Sequence, residues 1–306
     1  MHDVCICVLA HNEQRHIANT LRSLVAESDY LSCKIIVYAN GCTDNTVSIV
    51  QKLSCQFPQI SVNELDVASK ANAWNIAFTE NDSNILIFSD GDVRPEEGAI
   101  FGLCEALTHG RTKIVVAGCT LWPDFEFLGI EQKFVGFLQL PLYQDFLSGG
   151  LYAIDRKELM SILQHYGIKS LPVGLVGEDT FLEKIVPSDQ FVVITHKVYY
   201  IPPLLNDYFS YIARLQWQKK QIHLIMNEFN VKIDVKKNNL ITRFILKIRS
   251  NKSIIRMLLG LVSVCARYVL VLTNRRKIMN YYIKMGPPIL EGSSILSRFS
   301  RSNSVK

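Results

Sequence analysis

No Gly-x-Gly occurs anywhere in the 306 residues. A dinucleotide pyrophosphate is held by a Gly-x-Gly-x-x-Gly turn, so a dinucleotide-dependent oxidoreductase is excluded. The eight cysteines, at 5, 7, 33, 42, 55, 104, 119 and 265, form no Cys-x-x-Cys pair, and His and Cys never cluster at zinc-ligand spacing. That excludes a zinc module and fits a reduced, cytoplasmic setting, with Cys5 and Cys7 acting as small hydrophobes in an apolar run. Long charge-free runs are also missing. Met257 to Ala266, between Arg256 and Arg267, falls well short of the roughly 18 residues of a spanning helix. Met1-His2-Asp3 has no basic region and a short apolar run follows it, which predicts no leader. Low-complexity sequence is confined to the Ser-rich stretch after Gly292, expected to be a disordered tail over 293–306. Internal repeats are absent.

What is present is a large apolar inventory. Hydrophobic residues make up 48% and charged residues 20%, enough for a sizeable core and too little charge for a disordered chain. Charge is divided unevenly. Residues 1–200 carry 14 Lys+Arg against 24 Asp+Glu, a balance of −10, whereas residues 201–306 carry 19 against 4, a balance of +15. An acidic front and a basic rear imply two tasks. The expected division is a catalytic domain over 1–205, a basic helical acceptor or membrane-association region over 206–292, and the tail.

The front alternates strands and helices. Strands are expected at Val4 to Ala10, Cys33 to Ala39, Ile60 to Leu65 and Asn84 to Ser89, with helices at Glu13 to Ala26, Asp44 to Leu53 and Ser69 to Phe78. This order predicts a parallel, doubly wound α/β sheet with its site at the carboxyl ends of the strands. A helix at Glu96 to Leu107 and strands at Lys113 to Cys119, Leu151 to Ile154 and Phe191 to Tyr200 follow, with a short helix at Asp179 to Ile185. The aromatic-rich stretch Trp122 to Leu147 is expected to form a lid or an acceptor-side wall.

Polar residues collect after these strands. Asp90 and Asp92 follow the apolar run Ile85 to Phe88 and are hinged by Gly91, so two carboxylates can converge on one hard cation. A plain solvated turn has the same residues. Gly177-Glu178-Asp179 opens a helix, where a carboxylate is either a cap or an ionised general base. Ala10-His11-Asn12-Glu13 follows the first strand, Asn40-Gly41-Cys42-Thr43-Asp44 the second, and Lys70-Ala71-Asn72-Ala73 enters the third helix.

In this order the chain resembles glycosyltransferase family 2, with the GT-A fold, over about residues 3–200. The matching pieces are Val8 to Glu13, Asn40 to Asp44, Lys70 to Asn75, Asp90 with Asp92, Ser148-Gly149-Gly150, and Glu178 with Asp179. The resemblance implies a Rossmann-like, doubly wound mixed sheet with the basic helical region appended. It implies an inverting transferase that moves one sugar from a nucleotide-sugar donor to a glycan or lipid-linked acceptor, in cell-surface glycan or glycolipid assembly. Asp90 and Asp92 would hold Mn²⁺ or Mg²⁺ on the donor diphosphate, and Asp179, beside Glu178, would deprotonate the acceptor hydroxyl. Ala10, His11, Asn12, Glu13, Asn40, Asp44, Lys70, Asp90, Gly149 and Gly150 would line the nucleotide-sugar site.

Two departures matter. Ala39-Asn40 stands where many members carry two adjacent Asp, which alters the contact to the donor base. The Gln-x-x-Arg-Trp motif of polysaccharide synthases is out of register at Ala213-Arg214-Leu215-Gln216-Trp217, which favours single-sugar transfer. Trp217 is read as a core aromatic or a sugar platform. The alternatives are a silent module that keeps the fold, and a nucleotidyltransferase, which would normally show a Gly-rich loop after strand one.

The rear is helical. Ile241 to Ile248 has an apolar face, and on the helix at 254–273 the residues Arg256, Gly260, Ser263, Arg267 and Asn274 share one sector. Basic residues there are interleaved with aliphatic runs and not with stacking aromatics. The expected partner is therefore an anionic membrane surface, on the inner face of the membrane, and not nucleic acid.

Overall fold

The computed structural model describes residues 3–28, 31, 33–109, 112–140, 146–172, 174–229, 231 and 254–285. The expected amphipathic segment at 241–248 and the Ser-rich terminus lie outside the described residues.

Strands β1 (Val4–Ala10), β2 (Lys34–Asn40), β3 (Ile60–Leu65) and β4 (Ile85–Asp90) alternate with helices α1 (Ile17–Ser28), α2 (Thr46–Ser54) and α3 (Lys70–Glu80). Then come β5 (Val93–Pro95), α4 (Ala99–Thr108), β6 (Val116–Pro123), α5 (Ile130–Gln139), β7 (Leu151–Asp155), α6 (Arg156–His165), α7 (Glu178–Ile185) and β8 (Phe191–Tyr200). Helices α8 (Leu205–Glu228), α9 (Ile254–Thr273) and α10 (Arg275–Lys284) complete the described chain. One eight-stranded sheet has the order β3-β2-β1-β4-β7-β6-β8-β5.

Strand β1 is buried along its whole length because it is covered on both faces. Cys5, Cys7 and Leu9 pack with Trp74, Phe78, Leu159 and Leu182, whereas Val4, Ile6, Val8 and Ala10 pack with Leu21, Leu24, Val50 and Leu103. Period-two alternation into two apolar layers is what makes a continuous hydrophobic strand of parallel type.

The sheet is mixed. Strands β1 to β4 pair in parallel as the alternation predicts, but β7 runs antiparallel to both β4 and β6. This is the mixed sheet that the resemblance implies, where strand-helix alternation alone reads as parallel, and it has a consequence for the site. An antiparallel β7 starts where β4 ends, with Leu151 opposite Ser89, so the Gly149-Gly150 turn lies beside Asp90. The amide of Asp90 donates to Gly150 O at 3.0 Å.

Helix α1 begins at Ile17, later than the expected Glu13, because residues 11–16 form a turn. Glu13 O accepts from the amides of His16 and Ile17, and Asn12 adopts a left-handed φ of 57°. The elements not foreseen include the short β5 at the sheet edge, and α6, capped by Asp155 accepting from the Glu158 amide at 3.1 Å. The stretch 122–147 contains α5, whose buried Val135 and Leu138 pack on Tyr208 of α8. Helix α8 is built into the body as well. Its Ile222, Ile225 and Met226 join the core layer that holds Trp74 and Leu182.

Candidate active site

Parallel strands end on one edge, and that edge carries the polar turns. The first group ties the ends of β1 and β2 together. The buried Asn40 donates from Nδ2 to Ala10 O at 2.8 Å, and His11 Nδ1 meets Asn40 O at 2.6 Å. Asn12 Oδ1 accepts from the Thr43 amide at 2.8 Å, and Glu13 N donates to Thr46 Oγ1 at 2.8 Å. Asp44 caps the start of α2, accepting from the Thr46 amide at 2.9 Å and, at its other oxygen, from the Gln14 amide at 3.1 Å. An open, polar concavity of about 410 Å³ lies here, lined by Asn12, Glu13, Gln14, Arg15, His16, Thr43 and Asp44.

The second group is acidic and centred on Lys70. Helix α3 begins at Lys70, after Ser69 accepts from the Asn72 amide at 3.1 Å. That start aims the ammonium at two carboxylates, Asp90 Oδ1 at 2.6 Å and Glu178 Oε1 at 2.7 Å. Burial works against the charge on Lys70, but Asp90, Glu178 and Asp179 outweigh it and hold the ammonium protonated. Gly149 lies against the same point. A Cβ there would stand 3.2 Å from Lys70 Nζ and 3.3 Å from Asp179 Oδ2, tighter than side chains normally pack, so only glycine fits without displacing them.

Asp179 is the second residue of α7. Burial and the neighbouring Glu178 charge push its carboxyl up to about 6, against the pull of Lys70 and of the Thr180 and Gly149 amides. On the other side of the cluster, burial and then Asp92, Asp90 and Asp44 push the Glu13 carboxyl up to about 8. Trp74, Phe88 and Tyr152 form a stacked floor beneath, with Trp74 Nε1 donating to Tyr152 Oη at 3.0 Å.

The sequence-derived residues therefore fall into one acidic cluster and one adjoining polar turn. Lys70, Asp90, Gly149, Gly150, Glu178 and Asp179 converge, with Asp92 and Glu13 next to them. Ala10, His11, Asn12, Asn40 and Asp44 build the neighbouring turn. Sequence reasoning placed Asn75 only within the Lys70 to Asn75 segment and missed the other supports of this cluster. Asn75 exchanges two bonds with Leu171, at 2.7 and 2.8 Å. From α8, Gln218 donates to Thr180 Oγ1 at 2.8 Å, and Gln221 bonds both Gly174 O and the Val176 amide. The positive φ of 85° at Gly177, and the Gln218 amide packed where a Cβ would be, leave room for glycine alone. The available signal was that Gln218 and Gln221 fall on the face of α8 that carries the buried Ile222 and Ile225. Trp217 is buried and is a core aromatic.

Among the described residues no three His, Cys, Asp or Glu side chains gather as a metal-ligand group. Mg²⁺ and Mn²⁺ at diphosphates take few protein ligands, usually one or two carboxylates, with phosphate oxygens and water completing the shell. Asp90 and Asp92 are hard oxygen donors of that kind. Burial first, and then the charges of Asp92, Asp90 and Asp44, raise the neighbouring Glu13 carboxyl, and a divalent cation on the two aspartates would relieve the charge part of that shift. The residues present fit the metal.

No curated protein matches the chain by sequence. Among solved structures, it is similar to the mannosyltransferase PcManGT from Pyrobaculum calidifontis in complex with GDP-Man and Mn²⁺. Identity there is 15%, the TM-score 0.55, and the match covers 99% of this chain and 79% of that one. It is also similar to S. aureus TarS 1-349 in complex with UDP-GlcNAc, at 15% identity and a TM-score of 0.50, covering 90% of this chain and 92% of that one. These likenesses show a shared GT-A fold. The family model described as Glycosyl transferase family 2 matches residues 5–154, which hold β1 through β7 and both carboxylates of the Asp90-Gly91-Asp92 turn. Over that segment the chain is similar to glycosyl transferase family 2.

Proposed function

We propose that this glycosyltransferase moves a single sugar from a nucleotide-sugar donor to an acceptor hydroxyl with inversion at the anomeric carbon. The observation that carries the proposal is the convergence of Lys70, Asp90, Glu178 and Asp179 around Gly149 at the carboxyl edge of the sheet.

Asp90 and Asp92 would hold Mn²⁺ or Mg²⁺. The metal's contribution when bound is to offset charge that develops on the leaving nucleoside diphosphate. The chain's own residues do the rest. Lys70 sits between the donor-side carboxylate and Glu178, so it can shift its ammonium toward phosphate oxygens. Asp179, ionised above about pH 6, accepts the acceptor hydroxyl proton as that oxygen bonds to the anomeric carbon and the bond to phosphate breaks. Glu178, buried and tied to Lys70, orients the cluster. Ala10, His11, Asn12, Glu13, Asn40 and Asp44 would border the nucleoside, and Gly149 and Gly150 the sugar. Titration with UDP and GDP in the presence of Mn²⁺, before and after Asp92→Ala, tests donor binding.

For the rear, the proposed partner is an anionic membrane surface. The sector shared by Ser263 and Arg267 points inward, with Ser263 Oγ donating to Leu138 O at 3.3 Å. The opposite face leaves Val262, Tyr268, Val269 and Leu272 exposed, beside exposed Arg275 and Arg276 on α10. An apolar face flanked by cations suits an interfacial helix. Among the described residues no helix is long and apolar enough to cross a membrane. The acceptor would then belong to cell-surface glycan or glycolipid assembly.

A further inference from the structure

Helix α8 carries a second polar feature on the face that supports the base. Tyr211, Arg214, Gln218 and Gln221 follow one another at helical spacing, within a sector of about 80° at 100° per residue. Gln218 touches the residue after Asp179, so Arg214 stands one turn from that contact and Tyr211 two. The Arg214 guanidinium lies over the Tyr211 ring at 5.5 Å, and Tyr211 stacks on Tyr208 with centroids 6.2 Å apart.

Arg267 reaches this place from α9. It shares a face with Ser263, which bonds α5, and with Ala266 and Leu270, which pack on the Tyr208 cluster. The half-buried Arg267 acts electrostatically on both Tyr208 and Tyr211, and Asp179 also acts on Tyr211. Among the described residues neither Arg214 nor Arg267 has a carboxylate within ion-pair distance. The hydroxyl of Tyr208, a residue only 1% exposed, has no hydrogen-bond partner among the described residues.

A half-buried guanidinium without a counter-charge and a buried hydroxyl without a partner are both costly. An anion seated against Arg267 would remove the first cost, and one that also reaches the Tyr208 hydroxyl would remove the second. Guanidinium forks match phosphate oxygens in a bidentate way, and a tyrosine hydroxyl adds a directed donor. None of these groups comes from the strand ends that carry Asp90 and Asp92. We propose that Tyr208, Tyr211, Arg214 and Arg267 form an acceptor subsite that binds a phosphate ester and presents the acceptor hydroxyl to Asp179. The assignment to the acceptor rests on the transferase function proposed above, whereas the anion site stands on its own residues.

The test is calorimetric titration of the full chain with inorganic phosphate and with octyl phosphate, in EDTA so that no metal recruits the anion elsewhere. Arg214 is exposed, so Arg214→Gln keeps the fold, and it is expected to weaken binding by about tenfold, the worth of one charge-assisted hydrogen bond. Arg267→Lys is expected to weaken binding, because an ammonium cannot reproduce the bidentate contact, and the double variant Arg214→Gln/Arg267→Gln to lose it, with circular dichroism confirming the fold. Tighter binding of octyl phosphate than of phosphate identifies a lipid-borne ester, and equal binding a soluble one; both support the subsite. No phosphate binding by the wild type, or equal binding by wild type and the Arg214→Gln variant, overturns it. A parallel titration with Mn²⁺ and UDP or GDP keeps the outcomes separate, since its failure in the wild type counts against the transferase function and not against the anion site.

Discussion

Lys70 Nζ lies 2.6 Å from Asp90 Oδ1, which makes the ammonium the counter-charge of the carboxylate expected to carry the metal. The same ammonium holds Glu178 at 2.7 Å, so one side chain joins the donor end of the site to the base helix. Replacing it should therefore expose unbalanced charge at both ends. Lys70→Gln is expected to melt several degrees lower in EDTA at neutral pH, and Mn²⁺ should restore part of the loss. Wild-type melting in EDTA would show that the pair contributes nothing.

Asp179 links pH to both turnover and stability. As a base ionising near 6, it predicts a kcat that falls tenfold per pH unit below about pH 6. Asp179→Asn should keep donor binding and lose transfer, because an amide accepts no proton. The folded chain also holds the Asp179 proton more tightly than the unfolded chain, so ionisation costs stability. That cost is fully present above about pH 6 and disappears below the ordinary carboxylate range. Asp179→Asn should thus melt higher than wild type at pH 8 and not at pH 4. Wild-type rates in this variant would mean that the residue only begins a helix. An α-linked donor should give a β-linked product, and retention would contradict inversion.

Asn75 pins the loop ahead of the base through both of its amide atoms. Asn75→Ala leaves the Leu171 amide and carbonyl unpaired, a loss of about 1–3 kcal/mol for each group that stays buried. Urea denaturation measures the stability, and kcat should fall along with it as Gly177 and Glu178 lose their support. Unchanged stability and unchanged kcat would show that the loop holds itself.

Helix α9 is expected to lie in a lipid interface with its apolar face outward. Tyr268→Gln with Leu272→Gln should reduce co-flotation of the full chain with vesicles containing phosphatidylserine, and high salt should reduce it further. A chain that ignores such vesicles would contradict membrane docking. Association of two copies through this face would appear instead as concentration-dependent dimerisation without flotation.

The strand-to-turn junctions were legible because period and polarity change together there: Val4–Ala10 then His11, Ile85–Phe88 then Asp90. Each is a local signal. The polarity of Gln218 and Gln221 was visible but their role was not, since it depends on a loop about 40 residues away at Gly174 to Thr180. The direction of β7 was hidden for a related reason. Residues 151–155 read as a buried strand whichever way they run, and only pairing with β4 and β6 makes them antiparallel. The sector of Ser263 and Arg267 was visible from helical spacing, but which way it faces is set by α5 and α8.

The central claim is metal-assisted cleavage of a nucleotide-sugar at the Asp90-Gly91-Asp92 turn. The direct measurement is release of nucleoside diphosphate from a panel of UDP- and GDP-sugars with Mn²⁺, comparing wild type with Asp92→Ala, Asp90→Ala and the pair. We expect release from at least one donor, abolished by EDTA and by Asp92→Ala, and lowered by about 10²–10³ in Asp90→Ala, the scale of losing a major electrostatic contact to the leaving group. Full release in EDTA with both aspartates replaced would contradict the account.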